Sequence, residues 1–144
     1  MNNLILFLCT GNYYRSRFAE LWFNHQAKDQ QVAWRAESRG LAIELGGGNI
    51  GPISLDTLIA LAERDIHPPA ALRYPLQVTE PDFAEAQRVI ALHHAEHWPM
   101  MLRRYPAWAE RIEYWHVPDL GLMSPPEALR QIENQVGELI QQLT

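Results

Sequence analysis

The only cysteine in 144 residues opens the stretch Cys9-Thr10-Gly11-Asn12-Tyr13-Tyr14-Arg15-Ser16, and an arginine nearly closes it. A free thiol titrates near ~8.5, and helix N-termini, neighbouring cations and inward-facing amides all lower that value. Such an environment makes a thiolate nucleophile of Cys9. At this spacing the Arg15 guanidinium can fold back over the loop and grip two oxygens of one anion with its planar fork. Ser16 can donate its hydroxyl hydrogen to the sulfur. The loop therefore reads as a phosphate cup in which Cys9 is aimed at phosphorus and Arg15 is the clamp. Thr10, Gly11, Asn12, Tyr13, Tyr14 and Ser16 are its substrate-binding residues.

Flanking elements position that loop. The apolar run Leu4-Ile5-Leu6-Phe7-Leu8 predicts a buried strand, and helical periodicity begins near Arg17. A strand feeding a helix through a glycine-containing turn adds inward N–H groups and a positive dipole end, both of which favour an oxyanion. A lone cysteine ending a buried strand is more often a small hydrophobe. The strand before, the helix after, Gly11 within and Ser16 following favour the catalytic reading.

Phosphoryl transfer to a thiolate needs a second group to protonate the leaving oxygen. Asp119 is the candidate, since it follows the predicted fourth strand after Pro118, at the sheet edge where Cys9 also falls. As acid it would protonate the leaving group, and as base it would activate water. From spacing alone, an aspartate here is also an ordinary turn residue.

The rest of the chain sets bounds. A formal net charge of −5 argues against nucleic acid as the main partner, since phosphate-backbone binding wants a basic surface. The N-terminal apolar run is too short for a leader or a membrane span. One cysteine makes no internal disulfide, and a reactive thiol fits a reducing, cytoplasmic setting. His93, His94 and His97 cluster after the third strand, but no cysteine or suitably spaced carboxylate completes a metal set. They read as a solvated helix start, with His93 at the pocket rim, and no metal or cofactor is expected.

Periodicity places a first helix over 17–29 with Phe18, Leu21, Trp22 and His25 inward, and a second strand over 32–37. A glycine-rich rim follows over 38–52. Its Gly46-Gly47-Gly48 run lacks the lysine that would mark a nucleotide loop. A second helix is capped by Ser54 with Leu55, Leu58, Ile59 and Ala62 inward, and a short helix starts at Thr79. Strands follow at 89–92 and 112–117, with a helical piece near 100–104 between them. Ser124-Pro125-Pro126-Glu127 announces a final helix. Alternating strands and helices predict one α/β domain over 1–144: a four-stranded parallel sheet with helices on both faces and the phosphate-binding loop after strand one.

The sequence resembles the low-molecular-weight protein tyrosine phosphatase family. The likeness rests on Leu6-Phe7-Leu8-Cys9-Thr10-Gly11-Asn12, Arg15-Ser16, Ala19-Glu20 and Val117-Pro118-Asp119. It implies a cofactor-free phosphomonoester hydrolase working through a cysteinyl-phosphate, with Asp119 at the position of the family's general acid. It also implies that Asn12 braces the loop. The expected substrates are phosphorylated proteins (phosphotyrosine) or small phosphoesters. The chain also departs from the family pattern. Tyr14 stands where many members carry a second cysteine, so Cys9 lacks a resolving partner against oxidation. Arg17 replaces a common proline, and Leu120-Gly121 replaces the Pro-Tyr that walls the substrate ring. Tyr13 and Tyr14 either replace that wall or simply pack. Two other functions share the loop. A non-catalytic phosphopeptide-binding module would need neither thiolate nor acid, and an arsenate reductase would need a relay of cysteines that this chain lacks.

Overall fold

A run of six residues without a charged side chain can be covered on both faces, and Leu4–Cys9 forms β1 with every position buried. The computed structural model describes residues 3–118 and 123–144, so Asp119, Leu120 and Gly121 lie outside the described residues. After β1 come α1 (Arg15–Asp29), β2 (Arg35–Gly40), a 3-10 turn (Ile43–Gly46), α2 (Leu55–Ala62), α3 (Glu80–Glu85), β3 (Arg88–Ala91), α4 (His94–Arg104), β4 (Glu113–Tyr114) and α5 (Pro125–Leu143).

The strands lie in the order β2-β1-β3-β4, all parallel. The chain runs from β1 to one neighbour and later returns to the other side. The carboxyl end of β1 is therefore the switch point at which such sheets bind ligands. Side chains of β1 alternate between two cores. Ile5 and Phe7 meet Phe18 and Phe23 of α1 and Ile132, Val136 and Ile140 of α5. Leu6 and Leu8 meet Val89, Phe83 of α3 and Met101 of α4. Burying one such phenylalanine contributes about 1.5–3 kcal/mol relative to leaving it exposed.

Several elements sit differently from their sequence-based placement. β2 begins at Arg35 because small residues, Ala36, Ser38 and Gly40, form its buried face, while Arg35, Glu37 and Arg39 face outward. Helix α2 buries Thr57, Ala60 and Leu61, leaving Leu55 and Ile59 exposed. Thr57 belongs inside because its hydroxyl donates to the Tyr14 carbonyl at 3.1 Å. In α1 the inward face is Phe18, Ala19, Phe23 and Ala27, and His25 is exposed. Helix α4 starts at His94 and runs through Pro99, and β4 has only two residues.

Candidate active site

Cys9 ends β1, and the loop over residues 10–14 delivers the chain to α1. Outside groups take up the loop's carbonyls: Leu41 N–H donates to Cys9 O at 2.9 Å, Ala42 to Thr10 O at 3.0 Å and Ser54 to Tyr13 O at 2.9 Å. Among the described residues, no protein acceptor receives the amide hydrogens of Thr10, Gly11, Asn12 or Tyr13. A loop whose carbonyls are engaged from behind keeps its amides for an anion. Gly40 lies so close behind it that a Cβ there would stand 2.8 Å from Thr10 O. Cys9, Thr10, Gly11, Tyr13, Tyr14 and Arg15 line a cavity of about 200 Å³, and Leu45, Gly46, Asn49 and Ser54 complete its rim. A larger groove between α2 and α5, about 400 Å³, is lined by no cysteine, serine or threonine.

Asn12 and Ser16 do not line this mouth; both are wholly buried beneath it. Asn12 adopts φ 52°, a left-handed conformation that asparagine tolerates better than most residues. All four hydrogen-bonding positions of its amide are filled. Nδ2 donates to Ser16 Oγ at 2.8 Å and Ser38 Oγ at 3.0 Å, while Oδ1 accepts from Arg73 Nη1 at 2.9 Å and Leu76 N–H at 3.1 Å. Ser16 Oγ lies 2.9 Å from Cys9 Sγ. With Cys9 as the thiolate, which can only accept, the serine's own hydrogen is the one that bridges the two atoms.

A second brace comes from α4. Arg15, 2% exposed, donates from Nη1 to Val117 O and from Nη2 to Glu96 Oε2, both at 3.0 Å. The Thr10 hydroxyl donates to the same carboxylate oxygen. His97 is wholly buried and His93 partly so, and of the three histidines His94 alone is exposed, so the helix start is solvated at that one position. His93 N–H donates to His97 Nδ1 at 3.1 Å, which places the ring proton on Nε2, 3.2 Å from both Thr10 Oγ1 and Glu96 Oε2. Burial pushes the Glu96 carboxyl up, but hydrogen bonds from His97 and Arg15 and the charge of Arg15 outweigh it and hold the carboxyl well below its usual range. Burial holds the His97 imidazole below its ordinary value, against the opposing pull of Glu96. Among the described residues, no group of three or more His, Cys, Asp or Glu side chains is arranged to hold a metal ion.

These shifts carry a sign. A histidine whose folded value is depressed contributes stability above the unfolded value of ~6.5, and that contribution is lost as pH falls. The melting temperature should therefore drop between about pH 7 and pH 5 partly through His97. His97→Gln, which keeps an N–H donor for Glu96 but cannot titrate, should fall less steeply; identical slopes would refute the assignment.

Tyr13 and Tyr14, adjacent in sequence, have different surroundings. The Tyr13 hydroxyl donates to Ile50 O at 2.6 Å, pinning its ring to the rim. Tyr14 is 6% exposed and packs in the core beside α5. The Arg15 contact with Val117 O holds the chain two residues before Asp119 against the guanidinium.

A doubly wound parallel sheet with a thiol and a guanidinium facing one anion cup is the framework of a phosphoric monoester hydrolase. Residues 4–144 match the family model for low molecular weight phosphotyrosine protein phosphatase, and the chain belongs to that family. A sequence search of curated proteins returned no match. Solved structures share its fold, among them the following three. The low molecular weight protein tyrosine phosphatase from T. tengcongensis is 24% identical with TM-score 0.80, covering 99% of this chain and 100% of that one. Vibrio vulnificus Wzb in complex with benzylphosphonate is 16% identical with TM-score 0.80, covering 99% and 100%. The YwlE arginine phosphatase from Geobacillus stearothermophilus is 21% identical with TM-score 0.74, covering 98% and 92%.

Proposed function

We propose that this phosphatase hydrolyses aryl phosphomonoesters, phosphotyrosine in particular, through a cysteinyl-phosphate on Cys9. The observation that carries the reading is Cys9 Sγ at the cup, 2.9 Å from Ser16 Oγ, in a cavity that Arg15 also lines. The thiolate attacks phosphorus, an S–P bond forms and the ester P–O bond breaks. Asp119 gives its proton to the leaving oxygen. Water then attacks phosphorus as Asp119 takes a proton from it, and the S–P bond breaks to restore the thiolate. Arg15 and the amides of residues 10–14 hold the equatorial oxygens throughout. Neither step needs a metal or an organic cofactor.

Fold alone does not select the substrate, since relatives of this shape include a phosphotyrosine phosphatase and an arginine phosphatase. The rim supports an aryl group. Tyr13, pinned to the Ile50 carbonyl, lines the cavity together with Leu45, whose side chain is 65% exposed. The benzylphosphonate bound to the Vibrio vulnificus relative has the same aryl character. Among the described residues, no helix is long and apolar enough to cross a membrane, and a lone reactive thiol fits a reducing cytoplasm.

The test compares leaving groups. Asp119→Ala should cut kcat on phenyl phosphate by about 10²–10⁴-fold, because its phenoxide needs a proton to leave. It should cost much less on dinitrophenyl phosphate, whose phenolate leaves unaided. Equal losses on the two esters, or none on phenyl phosphate, would remove Asp119 as the acid.

A further inference from the structure

Two arginines beneath the loop have no role in the reaction just described. Arg17, on the first turn of α1, is 3% exposed. Its Nη1 donates to Pro52 O at 2.9 Å and its Nη2 to Arg73 O at 3.0 Å. Burial, then repulsion from Arg73, pulls its pKa down to about 10, against the attraction of Glu20 and Cys9. A guanidinium kept in so unfavourable a place is held by the oxygens it binds.

Arg73 is half-buried and carries the contact onward. Nη1 donates to Asn12 Oδ1 at 2.9 Å and Tyr74 O at 3.1 Å. Nη2 donates to Ser38 O at 2.9 Å, Ser38 Oγ at 3.1 Å and Glu20 Oε1 at 3.2 Å. An unbroken path results. Arg17 holds the backbone of Arg73, Arg73 holds Asn12 Oδ1, Asn12 orients Ser16, and Ser16 faces the sulfur. The other arm of Arg17 holds Pro52, two residues from the Ile50 carbonyl to which Tyr13 is pinned.

We propose that Arg17 and Arg73 form a guanidinium bridge that aligns the Asn12–Ser16 pair on Cys9 and ties that alignment to the rim of the mouth. Both are positioning residues, since neither lines the cavity. The proposal rests on Cys9 as nucleophile. Removing Arg17 frees the Arg73 carbonyl of the segment 73–76, which carries both donors to Asn12 Oδ1, the Arg73 guanidinium and the Leu76 amide, so the serine loses its aim. Removing Arg73 breaks the same path one link later. The clamp is separate, because Arg15 is braced by Val117 and Glu96 on the opposite side.

The full-length chain and its Arg17→Met, Arg73→Met and doubly substituted variants would be assayed with para-nitrophenyl phosphate, using inorganic phosphate as competitive inhibitor. Each single change should lower kcat by about 10–100-fold, and the double variant should fall no more than about 3-fold further, because links of one path are not additive. The phosphate inhibition constant should stay within about 3-fold, since the loop amides and Arg15 remain. Arg73→Lys should not restore kcat, because an ammonium cannot hold Asn12, Ser38 and Glu20 together. If Arg17→Met fails to fold, Arg17→Gln, which keeps one donor arm, takes its place with the same expected pattern. Lower melting temperatures with kcat unchanged would reduce the pair to a packing role, and losses that multiply would break the path; either overturns the bridge alone. An unsubstituted chain with no turnover would overturn the nucleophile reading, and the bridge with it.

Discussion

Cys9→Ser should abolish turnover of para-nitrophenyl phosphate, lowering kcat on the order of 10⁴–10⁶-fold, while leaving the cup able to bind an oxyanion. Among the described residues that line the cup, Cys9 supplies the one thiol, and a serine hydroxyl is a far weaker nucleophile than a thiolate. Its neighbour Ser16 is itself a hydroxyl, 2.9 Å from the Cys9 sulfur, and not a base. The parts that bind an anion do not depend on the sulfur. The carbonyls of Cys9, Thr10 and Tyr13 stay tied to Leu41, Ala42 and Ser54, and Arg15 stays tied to Val117 and Glu96. Inorganic phosphate should therefore bind the variant within about 3-fold of the parent, read by calorimetry at pH 7. Preserved turnover would reject the covalent mechanism. Lost turnover with lost phosphate binding would mean instead that the thiol shapes the cup.

The loop was legible because its signals are local: an apolar strand, a glycine, and a cysteine and arginine at loop spacing, all within fifteen residues. Its supports were not, since they come from distant parts of the chain. Glu96 and His97 sit in a stretch whose three histidines look like a polar helix start. The signal that could have found Glu96 is topological: a carboxylate in the first turn after β3 faces the same sheet edge as the Cys9 loop. Arg73 lies in an irregular segment without periodicity, and only the fold brings it against Asn12. The parallel sheet followed from the alternation of strands and helices, whereas the faces of two elements did not follow from hydrophobicity. β2 turns small residues inward, and α2 buries Thr57 because its hydroxyl meets the Tyr14 carbonyl, while Leu55 and Ile59 stay outside. Both elements obey hydrogen bonding and fit more than apolar content.

Arg15→Lys should lower kcat/KM by about 10²–10³-fold although it conserves the charge. The side chain is 2% exposed, and its two terminal nitrogens point to different anchors, Val117 O and Glu96 Oε2, each at 3.0 Å. A planar guanidinium with five N–H donors spans both anchors in one geometry; a single ammonium meets one anchor at a time. Long-range attraction for the anion survives in the lysine variant, so steering is kept while the paired contact to the transition state is lost. The loss should therefore appear more in kcat than in KM. A second readout follows from Glu96. With the fork gone, the carboxyl keeps Thr10 and His97 but loses a principal cause of its depressed pKa, so it takes up a proton at higher pH in the folded state. Because a depressed carboxyl contributes stability above its unfolded value and loses it as pH falls, the variant should benefit less from this group at neutral pH. The gap in melting temperature between parent and variant should then be widest near pH 7 and narrow toward pH 3. A lysine variant within about 3-fold of the parent in kcat/KM would show that charge alone, and not the geometry of the fork, is what the cup requires.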